Sequence, residues 1–394
     1  IFSAITTLYG RGEAVDVITV NDELTRAGVD DSVAGTGALM SLSAGTPAAT
    51  NASHYARIVY EHAILRSLIT TAHEIAEIGY SQPEDVQRAV DEAETMVFNV
   101  AQGRVTDSMA FMHDLLGETL DDIEQLYDRG DAITGTPTGF IDLDELTAGL
   151  QPSNLIVVGA RPAMGKTSFA LNLVAHAAMN EQRPVLLFSL EMSKLELSKR
   201  MLCSEAKVDA TSIRNGRLKD DDWTKLAQAM GRLGKAQLWI DDDPNITVMD
   251  IRAKARRLKS KIGDMGLVVV DYLQLMSGRA SAENRQVEIS EISRGLKILA
   301  RELECPVIAL SQLSRGLEQR TDKRPMLADL RESGAIEQDA DIVMFLYRDE
   351  VYNLDSADKG QAEVIIAKHR AGPTGVVRLA WLGHQTRFAN MART

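Results

Sequence analysis

Asn154-Leu155-Ile156-Val157-Val158-Gly159-Ala160-Arg161-Pro162-Ala163-Met164-Gly165-Lys166-Thr167-Ser168 is the stretch that decides the fold. Leu155 to Val158 read as a buried strand, a tight turn follows, and Gly165-Lys166-Thr167 opens an apolar helix. Triphosphate binding needs this order. Successive backbone N–H groups and a helix N-terminus face the phosphates, Lys166 supplies a point charge, and the Thr167 hydroxyl can hold Mg²⁺. Ala163, Met164, Gly165, Lys166, Thr167 and Ser168 are the expected nucleotide-binding segment. The spacing departs from G-x-x-x-x-G-K-[ST] once: Ala160 stands where the first glycine belongs, and Gly159 lies one residue early.

Downstream of this loop, apolar strands alternate with helical stretches: Val185–Leu190, Leu238–Ile240, Leu267–Val270, Val307–Leu310 and Ile342–Leu346. That pattern predicts an α/β domain with a mostly parallel sheet, helices on both faces, and ligands at the C-terminal ends of the strands. Two more strands near 363–369 and 375–382, joined around Gly372-Pro373, predict an antiparallel addition.

Upstream, residues 1–104 read as helical. His54 to Tyr80 places apolar residues at Ile58, Ile64, Leu65, Leu68, Ile69, Ala72, Ile75 and Ile78, close to a 3.6-residue period. Pro83-Glu84-Asp85 predicts a further helix ending near Gly103, and the small-residue stretch 30–50 predicts a loop. Residues 105–134 read as a linker. Phe111, Leu115, Leu116, Leu120, Ile123 and Leu126 form one apolar stripe of a helix that is acidic on its other faces. The stripe must be buried, either on the chain's own C-terminal half or on a neighbouring subunit. The expected organisation is thus 1–104 helical, 105–134 linker and 135–394 nucleotide-binding.

No run of eighteen apolar residues is present, so no membrane partner is expected. Cys203 and Cys305 are the only cysteines, each in an apolar segment, which predicts a reducing cytoplasm without a disulfide or zinc framework. Ile1-Phe2-Ser3-Ala4-Ile5 reads as mid-helix, so further residues are expected before Ile1. The net charge of −13 is unevenly spread: residues 1–107 hold six Lys/Arg against fifteen Asp/Glu, while 151–394 hold 36 against 31. The mildly basic second half permits a polyanion partner without demonstrating one.

Other strands also end in polar residues. Val185–Leu190 leads to Glu191, a carboxylate able to orient the water that attacks a γ-phosphate. The alternative is an acid favoured by the dipole of the helix that Ser193 and Lys194 begin. Leu267–Val270 ends in Asp271, the expected support of Mg²⁺, and Val307–Leu310 leads to Gln312, whose amide can sense the γ-phosphate.

Gly159–Thr167, Phe188–Ser193, Val270-Asp271-Tyr272-Leu273-Gln274-Leu275, Leu310–Arg315, Asp329–Asp341 and Ala367-Lys368-His369-Arg370 together resemble the successive motifs of the bacterial replicative DnaB-type helicases. The resemblance runs in order through 135–390. Tyr9–Asp16 is similar to that family's helical N-terminal domain, residues 108–127 to its linker helix, and Ala160 is tolerated in its phosphate loop. It implies a RecA-like ATPase core and an all-α N-terminal collar. It further implies a homohexameric ring on single-stranded DNA, moving 5′→3′, with ATP and Mg²⁺ bound between subunits. Lys166, Thr167, Glu191, Asp271 and Gln312 then act from one side, and Lys368 and Arg370 reach the γ-phosphate from the neighbour. Two residues apart on a strand, that basic pair shares one face. Arg200 is implied as a nucleotide contact, and Arg331, Glu332 and Gly334 as a DNA loop gripping phosphates without reading bases. A second DNA loop is expected around Ser277–Arg285, with Arg279 and Arg285. Primase through the N-terminal domain and a helicase loader or initiator are the implied protein partners, and the cytoplasm, at the nucleoid, the implied location. A RecA- or RadA-type recombination ATPase is the alternative, opposed by the acidic helical front domain and the linker.

Overall fold

The computed structural model describes residues 1–29, 35–45, 52–83, 133–276, 285–330, 334–353 and 355–392, with scattered positions between 86 and 124. The chain divides into two units, Ile1–Thr119 and Leu120–Thr394.

The first unit is helical: α1 (Phe2–Gly10), α2 (Val17–Arg26), α3 (Thr36–Gly45) and α4 (Ala52–Tyr80). Asp16 starts α2 by a capping box, accepting from the Ile18 and Thr19 amides while its own amide donates to the Thr19 hydroxyl. Ala4, Leu8, Val20, Leu24 and Leu39 close a small core. Helix α3 corrects the expectation of a loop over 30–50. Ala38, Leu39 and Met40 are good helix formers, and burying Leu39 holds the segment in place. Helix α4 matches the periodic stretch and, at 29 residues, spans about 43 Å. Of the helix expected after Pro83, positions 86, 89, 93, 96, 97 and 100 are described, each of them helical, and most of the linker lies outside the described residues. Of the linker stripe, Phe111, Leu115, Leu116 and Leu120 are described, and all four are exposed.

The second unit begins with α5 (Ile141–Thr147), β1 (Leu155–Ala160), α6 (Lys166–Ala175), β2 (Val185–Ser189), α7 (Lys194–Ala206) and α8 (Ala210–Arg214). Next come α9 (Asp220–Leu233), β3 (Leu238–Asp241), α10 (Val248–Ile262), β4 (Leu267–Asp271), α11 (Arg285–Leu303), β5 (Val307–Gln312), α12 (Gly334–Asp339) and β6 (Ile342–Tyr347). It closes with β7 (Gln361–His369), β8 (Gly375–Leu382) and β9 (Arg387–Asn390). One nine-stranded sheet runs β3-β2-β4-β5-β1-β6-β7-β8-β9. The first six strands in that order pair in parallel, and β7, β8 and β9 add antiparallel hairpins. The four-residue β9 was not foreseen.

Alternation along β1 shows why its apolar run is continuous. Leu155 and Val157 enter a core with Ile251, Ala255, Ile289, Leu296 and Leu299, whereas Ile156, Val158 and Ala160 enter the opposite core with Phe140, Phe169 and Leu197. A parallel strand covered by helices on both faces has no solvent side to keep polar. Among the described residues, no helix is long and apolar enough to cross a membrane.

Candidate nucleotide site and its opposite edge

The phosphate loop joins β1 to α6. Ala163 (φ 69°) and Gly165 (φ 96°) both lie in the left-handed region, the conformation that lines up backbone N–H groups around an anion. Gly165 is also constrained by space, since a Cβ there would stand 2.9 Å from Cζ of the buried Phe388 ring. The early glycine of the motif has a separate cause. A Cβ on Gly159 would meet Leu313 and Phe345 at 2.9 Å, so this glycine answers to packing across the sheet and leaves Ala160 to begin the turn.

The four strands whose ends carry polar residues are consecutive neighbours, β2-β4-β5-β1. Their C-terminal ends therefore meet at one edge. Lys166 Nζ lies 3.2 Å from Asp271 Oδ1, and the Thr167 hydroxyl donates to Asp271 Oδ2 at 2.8 Å. Both side chains of the ion pair are withdrawn from water, Asp271 with 2 % and Lys166 with 12 % of its side-chain surface exposed. Burial pulls the Lys166 ammonium below the ordinary lysine range, while Asp271 and Glu191 pull it back up. Its Nζ also sits 4.0 Å above the centre of the Tyr272 ring. Burial raises the Tyr272 phenol, with Glu191 and Asp271 adding to the effect.

Glu191 is exposed in the same cleft. The helix that follows it is capped by Ser193 and Glu196, so Glu191 is not consumed as a helix-start acid, and among the described residues it accepts no hydrogen bond. Gln312 ends β5 and is held by Gln274, which sequence reasoning did not single out. Gln274 accepts from the Gln312 amide at 3.1 Å and donates to Ser311 Oγ at 2.8 Å, tying the segment after β4 to the end of β5. The cleft encloses about 700 Å³; Ala163, Gly165, Lys166, Thr167, Ser168, Arg200 and Gln312 line it, whereas the buried Met164 supports the loop from below.

Two further residues support the loop. Arg161 donates to Leu313 O at 2.8 Å and pairs with Glu318. Arg348 donates to Ala163 O at 2.9 Å, with its guanidinium 4.6 Å from the Trp381 ring and paired to Glu350. Neither carried a sequence signal, because each is an isolated arginine brought to the loop by distant segments.

Asp271 Oδ1 is buried with no aligned hydrogen-bond donor among the described residues. Its partner there is the ion pair to Lys166, so a carboxylate behind the Thr167 hydroxyl, freed as Lys166 turns to a phosphate, fits a divalent cation held from one side.

Lys368 and Arg370 lie elsewhere. Lys368 pairs with Val343 and His369 with Ile342, level with the start of β1 rather than its end, and β7 is two strands away from β1. With a rise of about 3.3 Å per residue and about 4.8 Å between strands, Arg370 stands roughly 20 Å from the phosphate turn. Neither side chain reaches the phosphates of its own subunit. Both do share one face: Lys368 Nζ donates to Ala340 O at 2.7 Å and Arg370 to Gln338 O at 3.1 Å.

Arg331, Glu332 and Arg279 fall outside the described residues, while Gly334 begins α12 with open space around its α-carbon. Arg285, expected at the second DNA loop, is held by groups of its own chain. Its guanidinium donates to Gln274 O at 2.6 Å and pairs with Glu288.

A strand–loop–helix phosphate site at the end of a parallel sheet, with Lys, Thr and Asp converging on it, defines a nucleoside triphosphatase of the P-loop class. Residues 135–390 match the DnaB-like helicase C terminal domain and residues 1–61 the DnaB-like helicase N terminal domain. The chain belongs to the DnaB-like helicase family. It is 50% identical over 394 residues to the replicative DNA helicase DnaB of Geobacillus stearothermophilus, covering 100% of this chain and 87% of that protein. Identity to the corresponding Haemophilus influenzae helicase is 49% over 399 residues, covering 100% and 85%. Among solved structures, a DnaB-like replicative helicase described with its primase interactions superposes with a TM-score of 0.79 at 37% identity, covering 99% of this chain and 91% of that one. A second solved structure, an isolated ATPase domain, superposes with a TM-score of 0.69 at 43% identity, covering 72% and 100%. The match to the N terminal domain model removes the ground for the recombinase alternative.

Proposed function

We propose that this protein is an ATP-dependent replicative DNA helicase, working as a homohexameric ring that moves 5′→3′ on one strand and excludes the other. The observation that carries this reading is the separation of two half-sites. Lys166, Thr167, Asp271, Glu191 and Gln312 gather at one edge of the sheet, while Lys368 and Arg370 sit at the other. A second subunit placed against the cleft completes the site, which makes turnover depend on the interface.

Glu191, free of other hydrogen bonds among the described residues, orients the attacking water and takes its proton. Lys166 exchanges part of its pairing with Asp271 for the β- and γ-phosphates. Thr167 and Asp271 would hold Mg²⁺, which would neutralise charge on the phosphate oxygens. Lys368 and Arg370 of the adjacent subunit stabilise the charge that develops on the γ-phosphate.

Loss of that phosphate reaches the DNA through Gln312. The next residue, Leu313, forms an isolated bridge with Leu330, immediately before the DNA loop of Arg331, Glu332 and Gly334. The N-terminal domain, residues 1–104, docks primase, and a loader or initiator places the ring on DNA. Leu115, Leu116 and Leu120 of the 105–134 linker, exposed among the described residues, pack on a neighbouring subunit in this reading.

Unwinding of a forked duplex with ATP and Mg²⁺ tests the reading. Strand release should require a free 5′ tail and vanish in Lys166→Ala. ATP hydrolysis with no strand release from either fork would refute it.

A further inference from the structure

Helix α12 follows the proposed DNA loop and is short, six residues that bury only Ile336. A helix of this length has little stability of its own. Its last carbonyls converge on one cation. Lys368 Nζ donates to Ala340 O at 2.7 Å, to Gln338 O at 3.4 Å, and to Glu337 O. Arg370 donates to Gln338 O at 3.1 Å and stands 3.4 Å from the Asp341 carboxylate. A cation at this end of a helix satisfies carbonyls that have no partner within it and complements its dipole.

An ammonium has three N–H bonds, and all three are directed to carbonyl oxygens here. Lys368 therefore cannot cap α12 and grip a phosphate together. The frame around the cap is fixed independently. The Asp341 carboxylate accepts from the Leu155 amide at 2.8 Å and pairs with Lys297, its own amide donates to Leu155 O at 2.9 Å, and its carbonyl accepts from the Arg370 amide at 2.9 Å. Removing the cap loosens the last turn of α12 without releasing β6.

We propose that Lys368 has two alternative positions, one capping the helix behind its own DNA loop and one on the γ-phosphate bound by the neighbouring subunit. This rests on the trans role of Lys368 in the reading above. Arrival of a γ-phosphate at one interface then loosens the helix that carries the DNA loop on the other side of that interface. Phosphate oxygens bearing full charge outcompete carbonyl oxygens bearing partial charge, since hydrogen bonds to ionised acceptors are roughly twice as strong.

Hydrogen exchange of the full-length ring, read by mass spectrometry over residues 336–341, tests this. Exchange there should rise about tenfold between rings loaded with ADP and rings loaded with ADP–beryllium fluoride, a γ-phosphate mimic. Lys368→Met should show the faster exchange in both states, abolishing the difference. Should that variant fail to assemble, Lys368→Gln serves the same comparison, and the wild-type difference decides on its own whether the helix responds. Equal exchange in the two wild-type states, with turnover lost in Lys368→Met, overturns the two-position proposal and leaves the trans reading standing. Normal turnover in Lys368→Met overturns both, and shows that the trans reading is the part that failed.

Discussion

Replacing Asp271 by asparagine keeps the shape of the side chain and removes its charge from a site where only 2 % of it meets solvent. At 3.2 Å from Lys166 Nζ, the lost attraction is about 5 kcal/mol at an effective dielectric of 20. Part of that is returned, because the cost of burying the carboxylate disappears as well. Loss of one partner of a buried pair costs about 3–5 kcal/mol. The lower end applies here because Lys166 can release its proton. The sign of the pH dependence follows from that release. Burial holds the folded Lys166 below the ordinary lysine value of 10.5, so between the two values the unfolded chain binds more protons and stability rises with pH. Without Asp271 the folded value falls further, and the window opens at lower pH. The deficit of Asp271→Asn should therefore be about 3 kcal/mol at pH 7 and shrink as the pH rises toward 10. All three tryptophans, Trp223, Trp239 and Trp381, belong to the second unit, so urea unfolding followed by tryptophan fluorescence reports that unit. A deficit below about 1 kcal/mol, or one that is constant or growing between pH 7 and pH 10, would refute the pairing argument.

Gly165→Ala should destabilise the second unit by about 2–3 kcal/mol, from the left-handed backbone together with contact against the Phe388 ring; a change in urea midpoint equivalent to less than about 0.5 kcal/mol would contradict it. Arg370→Ala should lower ring-dependent ATP turnover at least tenfold while leaving nucleotide affinity within about twofold, measured by steady-state kinetics beside fluorescent-nucleotide titration. Rings mixed from Arg370→Ala and Glu191→Gln subunits should regain activity at interfaces that pair two intact half-sites, and no recovery at any ratio would count against action in trans. Arg331→Ala should weaken single-strand binding alike on all sequences and reduce the slope of log affinity against log salt by about one; an unchanged slope would remove residues 331–334 from the DNA contact.

Much of the site is legible in the chain because its chemistry is local. A phosphate loop needs a strand, a turn and a helix start in immediate succession, and covered parallel strands read as unbroken apolar runs. Lys166, Thr167, Glu191, Asp271 and Gln312 could each be placed at the end of such a run. Other features were misread or invisible for equally physical reasons. Residues 36–45 carry the small residues of a loop yet form a helix, since Leu39 finds a buried place in the first unit. Arg285 looks like a free cation in sequence, but three-dimensional folding presents it with the Gln274 carbonyl and Glu288.

By itself, then, the sequence determined the class of sheet, the phosphate loop and the acidic and amide residues at the strand ends, all consequences of hydrophobic period and of motifs a few residues long. Only the tertiary structure decided which strands are neighbours, and hence that Thr167 reaches Asp271 across 104 positions of chain. It also decided that Gly159 serves packing, that Arg161 and Arg348 brace the loop while Gln274 holds the end of β5, and that Lys368 and Arg370 stand at the far end of the strands against the end of α12. Strand order is set by how whole cores pack on both faces of the sheet, and no short stretch of chain encodes that.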